Sequence, residues 1–109
     1  MSKLHLKTNT TLADIQKYVA DMEEERGFTQ NDISSQCLLL VEEVGELVKC
    51  IRKSHTTLGI DSNKKYDFDP AGEVTDILIM LVAVANRLGV DMEEAFRVKE
   101  EHNKKRSWQ

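Results

Sequence analysis

The strongest constraint on folding is a nine-residue apolar run, Ile77–Ala85, inside a segment with clear helix boundaries. Asp69 and Pro70 are typical of the cap and first residue of a helix, and Gly89 is typical of the position after its end. Apolar side chains cover most of the circumference of this third predicted helix, so it must be buried on most sides. The run is much shorter than the roughly 20 residues that a membrane-spanning helix needs.

A bundle of four short helices cannot easily surround one of its own members completely. We therefore expect a second copy of the chain to cover the third helix, which predicts a homodimer or a dimer of dimers. The alternative is a compact monomer in which the long loop before this helix folds over it.

Helical periodicity predicts an all-α fold with one domain over residues 1–109 and no alternating β pattern. Thr11, Asp32 and Asp91 are plausible caps for the other three helices. A loop is expected over residues 54–69, because the periodicity is lost there and Gly, Asn, Asp and Ser accumulate. The four helices are predicted at about 11–26, 33–53, 70–88 and 92–106.

Net charge and cysteine content limit the ligands and the cellular compartment that fit this chain. A net charge of −4 argues against a protein that grips duplex nucleic acid mainly by neutralising phosphates. A small phosphorylated ligand stays open, because a bound cation can reverse the local sign of charge. Cys37 and Cys50 lie on one predicted helix, roughly 20 Å apart, too far for a disulfide. Reduced cysteines and the lack of a visible signal peptide predict a cytoplasmic protein.

Two acidic pairs are the main candidates for chemistry. Glu43 and Glu46 lie three residues apart on the second predicted helix, and Glu73 and Asp76 on the third. Residues i and i+3 share a helix face, so antiparallel neighbours could aim the two pairs at each other. Four converging carboxylates repel unless a cation lies between them, and oxygen ligands suit Mg²⁺ or Mn²⁺ better than zinc.

Each acidic pair also has an ordinary structural explanation. Glu46 and Lys49 form a common i,i+3 pair on what can be a solvated helix face. Glu73 and Asp76 lie in or near the first turn of their helix, where acids are favourable. The rest of that face is apolar, however, and acids are expensive there unless something binds them.

The fourth predicted helix carries a polar stripe of complementary charge. Lys99, Asn103 and Arg106 are spaced i, i+4 and i+7, so they share one face. Cations with an amide would suit phosphate oxygens beside a metal site. The alternative is a solvated helix end, where Lys and Arg complement the helix dipole.

The acids and their spacing resemble a known motif. EEVGE at residues 42–46, followed after 26 residues by EVTD at residues 73–76, resembles the EExxE…ExxD pattern of the MazG-like nucleoside triphosphate pyrophosphohydrolases. These belong to the all-α NTP pyrophosphatase superfamily. The resemblance covers about residues 11–106 and includes the later segment ILIMLVAVANRLGVDMEEAFRVKEEHNKKR. It implies a four-helix MazG-like bundle.

Carried over by position, the resemblance implies roles for individual residues. Mg²⁺, or Mn²⁺ in its place, would be bound by Glu43, Glu46, Glu73 and Asp76. Glu42 and Glu43 would be catalytic, and the role of Glu42 would be either to bind a second metal ion or to orient the attacking water. The substrate would be contacted at its phosphates by Lys99, Asn103 and Arg106, and at its base by Phe28. The alternative for Phe28 is a role in packing the core or a loop.

The implied reaction is hydrolysis of a nucleoside triphosphate between the α- and β-phosphates, giving a monophosphate and pyrophosphate. Such an enzyme would sanitise or balance nucleotide pools. A di-iron carboxylate protein needs Glu-x-x-His pairs on two helices, and none of His5, His55 and His102 lies in such a motif. The remaining alternative is a non-catalytic helical interaction module, in which the acids are only solvated or structural.

Overall fold

The computed structural model describes residues 1–55 and 69–108, and its regular secondary structure there is entirely helical. This confirms the all-α prediction, whereas assembly into dimers stays a prediction. The four helices are α1 (Leu12–Arg26), α2 (Ile33–His55), α3 (Pro70–Arg87) and α4 (Met92–Lys104). Ser54 and His55 of the expected loop belong to α2, and residues 56–68 of that loop lie outside the described residues.

Local hydrogen bonds fix both ends of α1. The Thr11 hydroxyl accepts from the Asp14 N–H at 3.1 Å, and the Asp14 carboxylate accepts from the Thr11 N–H at 2.9 Å. This reciprocal capping box satisfies backbone donors that a helix start leaves unpaired. Gly27 ends the helix with a φ of +76°, in the left-handed region that glycine adopts without a steric penalty. Its N–H turns back onto the carbonyls of Glu23 and Glu24.

The start of α3 is fixed in a similar way. The Asp69 carboxylate accepts from the Gly72 N–H at 3.0 Å, and the Asp69 carbonyl accepts from the Glu73 N–H at 3.1 Å. A Cβ atom on Gly72 would lie only 2.2 Å from the Asp69 carboxylate. The cap therefore uses the space that glycine leaves open, immediately before the first acid of α3.

The chain divides into two compact units, which we call the terminal and central units. The terminal unit contains α1, the last turns of α3 and α4, from Met1–Asn31 and Val82–Gln109. The central unit, Asp32–Leu81, contains α2 and the earlier turns of α3. No helix in the described part of the chain is long and apolar enough to cross a membrane.

Side-chain amides tie three segments of the terminal unit together. The Gln16 amide N–H groups donate to the Asn86 side-chain oxygen at 2.9 Å and to the Val90 carbonyl at 2.8 Å. The Gln16 amide oxygen accepts from the Met92 N–H at 3.0 Å, and the Asn86 amide donates to the Gln16 carbonyl at 2.9 Å. The buried apolar side chains of this unit are Val19, Met22, Val82, Ala83, Val84 and Ala85.

The central unit leaves much of its apolar surface in solvent. Cys50 and Gln36 of α2 are buried. The apolar side chains that are exposed on α2 and the first part of α3 include Leu38, Val41, Val44, Val48, Val74 and Leu78. Within the described residues, the third helix is therefore covered only in part, mainly over Val82–Ala85.

Replacement of Asn86 by alanine should lower the free energy of unfolding by about 1–3 kcal/mol, because a part-buried amide pair is left incomplete. Urea unfolding followed by circular dichroism measures this change. The control is Lys17→Ala, which removes only an exposed ion pair to Asp21 and should leave the urea midpoint unchanged. Equal midpoints for all three proteins would contradict a structural role for the amide network.

Candidate metal centre

Three carboxylates of the central unit converge. Glu43 of α2 and Glu73 and Asp76 of α3 each offer an oxygen, and these oxygens lie within 4.8 Å of one another. Glu43 and Glu73 are half-buried, whereas Asp76 is exposed. The predicted approach of acids from the second and third helices is therefore present for these three residues, which we call the carboxylate cluster.

The carboxylate cluster is electrostatically unfavourable as it stands. Burial raises the pKa of Glu43, and the negative charges of Asp76, Glu73, Glu42 and Glu46 raise it further, in that order. Each cause favours the protonated form of this carboxyl, because desolvation and like charge both penalise the anion. A cation between the three acids would reverse the effect.

The donor chemistry of the carboxylate cluster fits a hard divalent cation. Carboxylate oxygens are the ligands that Mg²⁺ and Mn²⁺ prefer, whereas zinc sites draw on nitrogen and sulfur. The three side chains come from two helices whose adjoining segments belong to one compact unit. The capped start of α3 fixes the backbone from which two of them project. The cluster could therefore hold a metal ion.

The other two acids of the motif lie outside the carboxylate cluster. Glu46 is exposed on α2, one turn after Glu43, and acts on that residue through its charge. Glu42 is likewise exposed and next to Glu43 in the chain. Their predicted roles as a metal ligand and a catalytic residue stay predictions.

The polar stripe of the fourth helix belongs to the terminal unit, whereas the carboxylate cluster belongs to the central unit. Lys99 is exposed, and the side-chain oxygen of Asn103 is buried without a hydrogen-bond partner. The helix α4 ends at Lys104, two residues earlier than predicted, and Arg106 lies beyond it. The Arg106 guanidinium stacks over the ring of Trp108, 4.6 Å from its centre.

Phe28 lies in the short connection between α1 and α2. Its N–H donates to the Glu23 carbonyl at 2.8 Å, and its carbonyl accepts from the Asn31 N–H at 3.1 Å and from Arg87 at 3.1 Å. Its side chain is nevertheless 45% exposed. The predicted base-contacting residue is thus an accessible ring on a well-anchored backbone.

Arg87 and Glu23 form a buried ion pair for which the sequence carries no local signal, because the residues are 64 positions apart. The Glu23 carboxylate accepts from Arg87 through both of its oxygens, at 2.9 and 2.5 Å. Hydrogen bonding to Glu23 raises the pKa of Arg87. Arg87 therefore stays charged, and it also donates to the backbone carbonyls of Phe28 and Asn31.

Comparison with known proteins gives concordant matches. The family model of the MazG nucleotide pyrophosphohydrolase domain matches residues 30–107. The dATP/dGTP diphosphohydrolase of cyanophage S-2L is 39% identical over 69 residues, which are 63% of this chain and 51% of that protein. The chain thus spans about half the length of this curated relative.

Two solved structures share the fold. A cyanophage S-2L MazG-like pyrophosphohydrolase, bound to dGDP and three catalytic Mn²⁺ ions per active site, matches with a TM-score of 0.68 and 29% identity, over 94% of this chain and 87% of that chain. A Bacillus subtilis protein, YPJD, described as a candidate pyrophosphatase, matches with a TM-score of 0.72 and 27% identity, over 92% and 100% of the two chains.

The raised pKa of Glu43 predicts a specific pH dependence of stability. A carboxyl whose pKa is higher in the folded than in the unfolded state contributes stability at low pH and loses it as pH rises through the folded pKa. Without divalent ions, Glu43→Gln should therefore gain melting temperature relative to the unchanged protein as pH rises from about 4 to about 8.

The comparison uses thermal melts in EDTA at several pH values, with Glu100→Gln on the exposed side of α4 as the control. The control removes one exposed carboxylate outside the carboxylate cluster and measures the effect of losing a single negative charge. A melting-temperature difference for Glu43→Gln that does not vary with pH would mean that the acids do not repel in the folded protein.

Proposed function

Because the chain belongs to the family of MazG nucleotide pyrophosphohydrolase domains, we propose that it hydrolyses nucleoside or deoxynucleoside triphosphates between the α- and β-phosphates. The products are a nucleoside monophosphate and pyrophosphate, and the biological role is sanitation or balance of the nucleotide pool. The observation that carries this proposal is the carboxylate cluster, Glu43, Glu73 and Asp76, with oxygens within 4.8 Å of one another. These acids repel one another, and a bound divalent cation would offset that repulsion.

Mg²⁺, or Mn²⁺ in its place, is the proposed cofactor. Glu43, Glu73 and Asp76 would hold it, and Glu46, one turn along α2, would add a fourth carboxylate. When bound, the ion supplies neutralisation of phosphate charge and a lowered pKa for bound water. The Mn²⁺ ions in the cyanophage structure support this donor chemistry, since that chain is 29% identical and covers most of this one.

Glu42 and Glu43 would orient the attacking water and accept its proton. Its oxygen forms a bond to the α-phosphorus, and the bond from that phosphorus to the bridging oxygen breaks. The electron pair leaves with pyrophosphate, and the water proton passes to a carboxylate. Glu42 suits this last task, because it is exposed and is not a member of the carboxylate cluster.

The substrate would be held by residues of the terminal unit. Lys99 and Arg106 are cations that can offset the charge developing on the pyrophosphate, and Asn103 adds an amide. The exposed ring of Phe28 would contact the base.

The partner that fits the exposed apolar surface is a second copy of the chain. Side chains such as Leu38, Val41 and Val48 on α2, and Val74 on α3, are all exposed in the single chain. Exposed apolar side chains in this number are typical of an interface. We therefore propose a homodimer or a dimer of dimers.

Light scattering at micromolar concentration should accordingly give a mass at least twice the 12.5 kDa of one chain. Val41→Glu places a charge on the exposed apolar part of α2 and should shift the mass toward one chain. Circular dichroism verifies that the variant keeps its helices. A well-behaved monomer for the unchanged protein would reject the dimer.

The reaction is tested with a panel of ribonucleoside and deoxyribonucleoside triphosphates, assayed separately for pyrophosphate and orthophosphate. We expect pyrophosphate release that requires Mg²⁺ or Mn²⁺ and stops with EDTA. Orthophosphate with a nucleoside diphosphate would mean that the cleavage position is wrong. The alternative, a non-catalytic helical interaction module, predicts no turnover on any member of the panel.

Two acid variants separate a functional cluster from a structural one. Glu73→Gln and Asp76→Asn should each lower the rate of pyrophosphate release by more than about tenfold, because each removes an oxygen ligand. Their metal-free melting temperatures should stay the same or rise, because repulsion is relieved. Lys49→Ala, exposed on α2, is the control and should leave both quantities unchanged. Acid variants that lose stability but keep activity would favour the interaction module.

A further inference from the structure

Arg87 uses every hydrogen-bond donor that a guanidinium has. Besides the two bonds to the Glu23 carboxylate, it donates to the Asn31 carbonyl at 2.9 Å, the Phe28 carbonyl at 3.1 Å and the Ala83 carbonyl at 3.0 Å. These bonds account for all five N–H groups of the side chain. Lysine has only three donors and a single nitrogen, so it cannot reproduce the arrangement.

Two of these bonds hold the connection between α1 and α2 at both of its ends. The Phe28 carbonyl follows the turn at Gly27, and the Asn31 carbonyl immediately precedes Asp32. Asp32 in turn accepts from the Ser35 N–H at 2.8 Å at the start of α2. The guanidinium therefore holds the backbone of the terminal unit at Phe28 and at Asn31.

The side chain of Phe28 is exposed, unlike that of Glu23, which binds Arg87. The carboxylate that binds Arg87 belongs to Glu23, which is only 6% exposed, whereas the Phe28 ring is 45% exposed. Because the backbone of Phe28 is fixed before any ligand arrives, only the side-chain torsions of the ring remain to be ordered on binding. Binding to such a ring costs less ordering entropy than binding to a mobile one.

We propose that Arg87 is a positioning residue for the nucleotide, which presents the Phe28 ring to the base. Glu23 has the matching task of holding Arg87. The proposal rests on the function proposed above and adds a determinant of affinity that lies outside the acidic motif. It predicts an effect mainly on KM, because the contacts to the base are remote from the bond that breaks.

A purely structural ion pair would also be destabilising to break, so stability alone does not test the proposal. The two readings differ in whether the effect of Arg87 depends on Phe28. If Arg87 acts through the ring, removing the ring abolishes the effect on KM. A double-mutant cycle measures this dependence directly.

The experiment compares Arg87→Lys, Phe28→Ala and the double variant in Mg²⁺-dependent pyrophosphate release. We expect Arg87→Lys to raise KM about tenfold with kcat changed less than about twofold. Phe28→Ala should raise KM by a similar factor, and the double variant by no more than Phe28→Ala alone. Arg97→Lys, which alters an exposed ion pair to Glu93, is the matched control and should not change KM.

Three outcomes would contradict the positioning role of Arg87 or the proposed function. An active protein in which Arg87→Lys leaves KM unchanged overturns the positioning role, as does an equal rise in KM with and without the Phe28 ring. A protein that releases no pyrophosphate from any triphosphate overturns the proposed function and the positioning role with it. If Arg87→Lys does not fold, Glu23→Gln replaces it in the same cycle, since it keeps the side-chain shape and removes the charge.

Discussion

Like-charge repulsion among Glu43, Glu73 and Asp76 is the constraint on which the arrangement of the central unit depends. The three acids converge although burial and their mutual charge favour protonation of Glu43. Such an arrangement persists because other contacts join α2 and α3, among them the hydrogen bond that the Gln36 amide donates to the Met80 sulfur at 3.3 Å. The free energy lost at the acids is then available to a ligand of opposite charge.

Buried charge is used in the opposite way in the terminal unit. Arg87 and Glu23 satisfy each other, and the remaining donors of Arg87 reach backbone carbonyls. An ion pair whose hydrogen bonds are all made rigidifies its surroundings. The charges of the carboxylate cluster, by contrast, are not compensated within the cluster. The two units thus use charge differently: the acids of the central unit repel one another, whereas the Phe28 turn of the terminal unit is held by a satisfied guanidinium.

Features with a local cause could be predicted from the sequence. Helix ends follow from caps and glycines, and the facing acids follow from i,i+3 spacing on two helices. The exclusion of Glu46 from the carboxylate cluster depends on how two helices approach each other, which no local pattern encodes. The pairing of Arg87 with Glu23 spans 64 residues, so local sequence patterns could not predict it either. The early end of α4 left Arg106 outside the helix that its spacing had suggested.

The stacking of Arg106 on Trp108 has a spectroscopic consequence. Trp108 is the single tryptophan of the chain, so its indole dominates the fluorescence excited at long wavelength. The guanidinium lies 4.6 Å from the centre of that ring and sets the local electric field that the excited state senses. An anion that moves the Arg106 guanidinium off the ring should change the emission of Trp108. Tryptophan fluorescence can therefore report on a ligand that binds at Arg106, one of the candidate phosphate-binding residues.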